Sequence, residues 1–258
     1  MDFSPLAIWL YPLLFLTGLV AGFIDSIAGG GGLITIPVLL SIGLPPSLAL
    51  GTNKLQATFG SGSAAWHFWR AGMIDWPSSR VGVVCTLVGA TIGTLLVSLL
   101  PAAVLRAVIP WLLISISLYM VLQPKLGDAD RQARMRTQSF YALFGLALGF
   151  YDGFFGPGTG TFWAMAFMLG LGFNLTRATA HTKLMNVTSN GASLVVFLNA
   201  GQCHLLGGLC MGCGQLIGAR VGSKVVIRKG SHFIRPIFVS VAIAITLRLL
   251  WVNFSTSK

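Results

Sequence analysis

Two stretches of this chain place one Asp and a run of glycines inside an otherwise apolar sequence. Residues 22–32 contain Asp25, and residues 149–160 contain Asp152. Glycines can interrupt a helix and leave backbone N–H groups without intrahelical partners, and a helix that starts there carries partial positive charge at its first turn. Both stretches therefore predict an anion-binding site at a helix N-terminus. The same glycines could instead serve close helix packing.

A lysine follows each glycine-rich stretch at a similar distance. Lys54 stands in the sequence TNKL, 29 residues after Asp25, and Lys183 stands in HTKL, 31 residues after Asp152. A lysine inside an apolar segment is costly in a membrane and indicates a functional site. Each side chain could instead reach the membrane interface along its aliphatic stem. The matched positions favour a functional role, in which the lysines neutralise a bound anion.

The second copy offers more polar groups than the first. Lys183, Asn186 and Asn190 follow the i, i+3, i+7 spacing of one helix face, whereas the first copy has Ala57 and Ser61 at the positions of the two asparagines. We therefore expect an asymmetric site. The predicted substrate-binding residues are Gly29, Gly30, Gly31, Gly32, Asn53, Lys54, Gly156, Gly158, Gly160, Thr182, Lys183, Asn186 and Asn190.

Three residues are candidates for proton coupling. Asp25 and Asp152 either neutralise the two lysines, so that four buried charges sum to zero, or bind protons that couple anion movement to the proton gradient. His181 takes the place of Thr52 in the second copy. It is either a packing residue or a third proton site, and the sequence leaves these alternatives open.

The paired motifs identify the chain as a tandem repeat. The two Asp residues are 127 positions apart and the two Lys residues 129 positions apart, and Gly89 and Gly93 are matched at the second offset by Gly218 and Gly222. The repeating unit has about 125 residues, and a period of this kind determines how the fold is interpreted. We predict a first repeat over 1–123, a basic cytoplasmic linker over 124–138 and a second repeat over 139–258.

Composition places the chain in a membrane. Hydrophobic residues make up 55% of it and charged residues only 9%, against about 25% charged residues in soluble domains. The net charge of +11 is concentrated in loops, as the positive-inside rule requires, and it also favours an anionic substrate. We expect no nucleic acid partner, no cofactor and no metal. The four cysteines are interpreted as packing residues, since zinc sites usually need four well-placed ligands.

The apolar pattern predicts an all-α integral membrane protein with five helical segments in each repeat. They cover residues 6–27, 33–42, 48–69, 81–100 and 104–122 in the first repeat, and 139–155, 161–171, 178–198, 205–226 and 233–252 in the second. Counting basic loops as cytoplasmic leaves only Arg106 on the wrong side and places both termini in the periplasm. Because five is odd, the two repeats are predicted to be inverted relative to each other.

The second segment of each repeat is short. Ten residues of helix rise about 15 Å, which is half of a hydrocarbon core of about 30 Å. The chain therefore has between eight and ten membrane segments, depending on whether 33–42 and 161–171 cross fully. Inverted repeats whose matching segments are short and interrupted by glycine are typical of transporter binding sites near the bilayer midplane.

The duplicated Gly-Phe-x-Asp and glycine-rich element, followed by TNKL and HTKL, resembles the TauE/SafE-type sulfite exporter family. The resemblance covers nearly the whole chain and both repeats. It implies a multi-spanning bacterial inner-membrane transporter that exports small anions, with sulfite and organosulfonates as the better-known substrates. The second element differs from the first, since it reads Gly-Pro-Gly-Thr-Gly over 156–160 where the first has four glycines.

We therefore expect a secondary transporter, not an enzyme, that exports a small anion such as sulfite or an organosulfonate and is coupled to the proton gradient. The alternatives are an anion-selective channel and a transporter of another small solute. The expected partners are the anionic substrate and the lipid bilayer, and the chain could also form a homo-oligomer. A Walker-type ATP-binding loop does not occur in the sequence.

Overall fold

The structure is a computed structural model that describes residues 6–122 and 129–229. Within these residues every regular element is an α-helix, as the sequence predicts. In chain order the helices are α1 (Leu10–Ala28), α2 (Gly31–Ser41), α3 (Pro46–Arg70), α4 (Trp76–Ser98), α5 (Ala102–Leu122), α6 (Thr137–Phe154), α7 (Thr159–Gly170), α8 (Leu175–Asn199) and α9 (Leu205–Lys229).

These helices correspond to nine of the ten predicted segments, and the tenth, 233–252, lies outside the described residues. The short segments are confirmed as helices of 11 and 12 residues, α2 and α7. The predicted start of the fourth segment at 81 is wrong, because α4 already begins at Trp76. Pro77 lies in the first turn of α4, where its fixed φ suits a helix and its missing N–H costs nothing.

Glycines bring α1 against α9 and α4 against α6 with almost no side chain between them. A Cβ atom at Gly218 of α9 would lie 2.0 Å from the carbonyl oxygen of Leu19, and one at Gly93 of α4 would lie 2.1 Å from that of Phe150. Residues 93 and 218 therefore tolerate no side chain. Close approach of this kind is how helices associate in lipid, and both pairs join the first half of the chain to the second.

The described part of the chain is apolar on its surface and contains a group of buried polar residues inside. Exposed apolar side chains cover α1, α4 and α9, among them Leu16, Val84, Leu87, Ile92, Leu209 and Ile217. By length and composition these three helices can cross a membrane, over Leu10–Ile27, Trp76–Ser98 and Leu205–Lys229. Helices α3 and α8 hold many of the buried polar residues, including Thr52, Lys54, Gln56, His181 and Lys183. This arrangement is the one expected of a protein whose solvent is hydrocarbon.

Helices α3 and α8 lie against each other and hold the opposite half of the chain by matching hydrogen bonds. The Thr52 Oγ1 accepts from the N–H of His204, 2.9 Å away, just before α9 begins. The His181 Nε2 accepts from the N–H of Asp75, 3.2 Å away, just before α4 begins. His181 stands 129 positions after Thr52, and Asp75 stands 129 positions before His204, so the two bonds join equivalent pairs of residues. The internal repeat therefore recurs in the contacts as well as in the sequence.

Candidate functional site

The two glycine-rich stretches each separate two helices. Gly29 ends α1 with a φ of 75°, and Gly158 precedes α7 with a φ of 81°. Only glycine adopts such angles without a steric penalty. A Cβ atom at Gly29 would lie 2.6 Å from the carbonyl carbon of Gly160, so the two interruptions touch each other directly. The N-termini of α2 and α7 therefore lie next to each other. These glycines allow close packing of the two helices, whether or not they also bind an anion.

Lys54 of the first half pairs with Asp152 of the second. Its Nζ lies 2.7 Å from Asp152 Oδ1, 2.5 Å from the Asp152 carbonyl oxygen and 3.3 Å from Asn190 Oδ1. These three acceptors use all three N–H bonds of an ammonium group. The other carboxylate oxygen of Asp152 accepts from the Ser189 hydroxyl.

Lys183 of the second half pairs with Asp25 of the first. Its Nζ lies 2.9 Å from Asp25 Oδ2. The other oxygen, Oδ1, accepts from the N–H of Gly31 at 3.1 Å, and Gly31 is the first residue of α2. Each lysine therefore meets the Asp of the opposite half, and the four charges sum to zero. Buried charges persist in proteins when they are paired in this way.

A small cavity of about 30 Å³ lies between the two interruptions, enough for one or two water molecules. The predicted residues in its wall are Asp25, Gly29, Gly32, Asn53, Asp152, Gly156, Gly158, Gly160, Asn186 and Asn190. The wall is completed by Ala57, Thr159 and Gln215. The predicted site residues that do not reach it are Gly30, Gly31, Lys54, His181, Thr182 and Lys183. The two lysines lie behind the carboxylates that they bind.

Backbone donors at the two helix N-termini are only partly used. The Gly31 N–H is occupied by the chain's own carboxylate, Asp25, whereas in α7 the Thr159 N–H bonds to a backbone carbonyl at 3.1 Å. Gly32 and Gly160 stand at the second positions of α2 and α7, where an N–H has no acceptor within its own helix. Both line the cavity. The wall therefore combines backbone donors with two carboxylates.

Two of the amide side chains in the wall are held by other polar groups. Asn53 Oδ1 accepts from Thr35 Oγ1 at 2.6 Å and from Gln56 Nε2 at 2.8 Å. Asn190 accepts from Lys54 and approaches Ser61 Oγ with its Nδ2 at 3.4 Å. These contacts hold both amides in place at the cavity wall.

His181 lies in a separate aromatic environment and does not line the cavity. It is fully buried, its Nδ1 lies 3.0 Å from the Arg177 carbonyl oxygen, and its ring contacts Phe167 and Phe173. Since Nε2 accepts from Asp75, this pattern requires a neutral ring with its proton on Nδ1. The packing interpretation of His181 fits these contacts, and its role in proton coupling stays a prediction.

Sequence reasoning missed Gln215 and Ser189. Gln215 lines the cavity from α9, and Ser189 binds the carboxylate of Asp152. The available signal for Gln215 was an uncharged polar side chain in a glycine-rich apolar helix. Ser189 offered no comparable signal, since serines are common in α3 and α8.

Comparison with known proteins identifies one family, whose match includes both glycine-rich stretches and both lysines. The family described as Sulfite exporter TauE/SafE matches residues 14–249. The chain belongs to the TauE/SafE family. This TauE/SafE protein is 48% identical over 248 residues to the probable membrane transporter protein YfcA of Escherichia coli K12, a match that covers 96% of the chain and 91% of the relative.

Two further relatives have similar identity. A probable membrane transporter protein of a Sinorhizobium species is 46% identical over 245 residues, with 95% of the chain and 94% of the relative covered. One of Haemophilus influenzae is 46% identical over 246 residues, with 94% and 95% covered. No solved structure matches the chain. The resemblance seen in the repeated motifs is confirmed, and the chain is a membrane transporter of this family.

Proposed function

We propose that this protein is a secondary transporter that exports a small anion, such as sulfite or an organosulfonate, across the bacterial inner membrane. The observation that carries the proposal is the cavity between two interrupted helices, bordered by backbone N–H groups and backed by two buried Lys–Asp pairs. Helix N-termini and nearby cations are the groups that bind anions in apolar surroundings.

The proposed architecture consists of two inverted repeats, 1–123 and 139–258, joined by a cytoplasmic linker over 124–138, with both termini in the periplasm. Helices α2 and α7 are then the short helices that meet near the bilayer midplane. Alternating access follows if one repeat rocks against the other around the cavity. The crosswise pairs Lys54–Asp152 and Lys183–Asp25 support this, because each bond joins the two repeats and can respond to their relative movement.

The lysines are compensated by the chain's own carboxylates in the substrate-free site. An anion that takes the place of Asp25 on Lys183 leaves that carboxylate without its partner. A proton on Asp25 then restores a net charge of zero, because two lysines balance one carboxylate and the anion. An uncompensated charge in the interior costs several kcal/mol, so anion binding and proton binding favour each other. This linkage makes anion flux sensitive to a pH gradient.

The test is uptake of ³⁵S-labelled sulfite into proteoliposomes that contain the purified protein, with and without an imposed pH gradient. We expect saturable uptake that responds to the gradient and falls at least about tenfold when Lys54→Gln and Lys183→Gln are combined, since the change removes both compensating charges. Lys224→Gln is the matched control, because Lys224 is exposed on α9 and does not line the cavity.

Unchanged uptake in the double variant would exclude the assigned role of the lysines. A channel built from the same half-helices would let the anion equilibrate but never accumulate. Accumulation beyond equilibrium, collapsed by dissipating the pH gradient, therefore separates the transporter from the channel.

A further inference from the structure

Two carboxamides in the cavity wall are buried and incompletely bonded. Asn186 is 6% exposed and Gln215 is 1% exposed, and the oxygens Asn186 Oδ1 and Gln215 Oε1 have no hydrogen-bond partner among the described residues. A buried polar group without a partner is costly. Since both side chains line the cavity, a ligand inside it can supply the missing hydrogen bonds.

The fold makes specific room for Gln215. A Cβ atom at Gly22 of α1 would lie 2.7 Å from Gln215 Cγ, and one at Gly60 of α3 would lie 2.5 Å from the same atom. Gln215 therefore passes between two glycines on its way to the cavity. The Nε2 end faces Gly60, since it would lie 2.8 Å from a Cβ atom there.

The equivalent slot in the other half of the chain is closed. Thr86 stands at the position equivalent to Gln215, and Ser189 at the position equivalent to Gly60, each 129 positions away. Thr86 Oγ1 lies 3.5 Å from the Met185 sulfur and does not line the cavity. A long amide side chain thus enters the cavity from the second half only. Because the first half folds in the same way without such a side chain, Gln215 is not needed for the fold, which indicates a role in the cavity.

The wall is rich in acceptors. Besides the two free amide oxygens it contains the carboxylates of Asp25 and Asp152, each paired with a lysine. A doubly charged anion would add two negative charges to this neutral site, of which the proton on Asp25 compensates only one, and burial of unpaired charge is expensive. A singly charged anion that retains a hydroxyl adds one charge and also offers a donor to the amide oxygens.

We propose that the cavity selects singly charged oxyanions that keep an O–H, of the hydrogen sulfite type, and that Gln215 Oε1 and Asn186 Oδ1 together accept the single proton of that O–H in a shared hydrogen bond. This inference rests on the proposed function, in which the cavity binds an anion. The remaining oxygens of such an ion face the N–H groups of Gly32 and Gly160. Gln215 and Asn186 are then specificity-determining residues, and the backbone N–H groups bind any small oxyanion.

The experiment measures affinities of the purified full-length protein in detergent by isothermal titration calorimetry, at a pH just below neutral, where hydrogen sulfite and hydrogen carbonate are both the predominant species. Two pairs of monoanions serve as probes: hydrogen sulfite with methanesulfinate, and hydrogen carbonate with acetate. Within each pair an O–H is replaced by a methyl group while the charge stays the same. We expect the hydroxylated member to bind at least about tenfold tighter, because the methyl group leaves a buried acceptor unpaired.

Gln215→Leu should reduce this preference to within about threefold while the affinity for methanesulfinate is retained, since only the acceptor is lost. Thr86→Val is the matched control in the other half and should keep the full preference. Asn186→Leu supplies a second variant should Gln215→Leu not fold.

Equal affinities of wild-type protein within both pairs would overturn the inference and leave the proposed function standing, because both anions would still bind. A full preference retained in Gln215→Leu and in Asn186→Leu would also overturn it. Absence of binding by all four anions would overturn the inference and the proposed function together.

Discussion

The two buried ion pairs occupy equivalent positions in the two halves of the chain, yet they are held very differently. Lys54 donates to three acceptors, and Asp152 is bound by Ser189 and is 5% exposed through its side chain. Among the described residues, Lys183 has one hydrogen bond, to Asp25. The Asp25 side chain is 16% exposed, and its other oxygen accepts from the first residue of α2.

Part of this difference comes from two equivalent positions, 60 in the first half and 189 in the second. Ser189 binds Asp152 in one half, whereas Gly60 in the other half leaves room for Gln215 and offers Asp25 no hydroxyl. The two pairs are therefore alike in their residues, and the Lys54–Asp152 pair is the tighter one. The Lys183–Asp25 pair is therefore better suited to exchange its partner for a substrate, as the proposed proton linkage requires.

The largest expected effect comes from removing one charge of the tighter pair. Asp152→Asn leaves Lys54 buried without a counter-charge, which should lower the free energy of unfolding by about 3–5 kcal/mol. Asp25→Asn should cost about half as much, because water in the cavity can approach the site of the lost carboxylate. Denaturant unfolding in mild detergent, followed by tryptophan fluorescence, measures both. Equal losses in the two variants would contradict the division between a tight and a loose pair.

An intermediate effect is expected from making the first half resemble the second. Gly60→Ser places a Cβ atom 2.5 Å from Gln215 Cγ and should destabilise the protein by about 1–3 kcal/mol through overpacking. It should also displace Gln215 from the cavity and weaken the preference for hydroxylated anions.

Gly62→Ser is the control for that variant, since the nearest atom to a Cβ there is a Val187 methyl at 3.6 Å. The same substitution on the same helix should then be close to neutral. The same unfolding assay measures both variants. A similar loss of unfolding free energy in the two would show that contact with Gln215 is not the reason why position 60 excludes a side chain.

The smallest effect is expected from Ser189→Ala. It removes the hydroxyl that donates to Asp152 but leaves the ion pair with Lys54 in place, so the free energy of unfolding should fall by about 1–2 kcal/mol. Transport should persist, because the tighter pair needs only to stay closed. Loss of transport with unchanged stability would instead assign Ser189 a direct role in the transport cycle.

Most of the helical pattern could be predicted because each segment is marked locally. Apolar runs, the proline pair at 45–46 and the glycine-rich interruptions set the boundaries of the described helices to within a few residues. The start of α4 was missed, since its first turn contains Pro77 and polar residues that read as a loop. Of the candidate site, the glycines were found because they recur in both halves, and Asn186 and Asn190 because they share a helix face with Lys183.

Gln215 could not be predicted in the same way. Its position in the cavity depends on the clearance at Gly22 and Gly60, which lie on two other helices. His181 is a second residue whose position in the structure could not be read from its neighbours in the sequence. It stands two residues before Lys183, but the helix turns it away from the cavity and toward Asp75, Phe167 and Phe173.

The sequence by itself determined the repeat, the membrane class, the two helix interruptions and the presence of four compensating charges, because composition and spacing carry these properties along the chain. Only the tertiary structure decided that Lys54 meets Asp152 and Lys183 meets Asp25, across 98 and 158 residues of sequence. The reason is physical. A buried charge pairs with the carboxylate that packing brings within reach, and here glycine contacts between α1 and α9 and between α4 and α6 bring the opposite half of the chain closest.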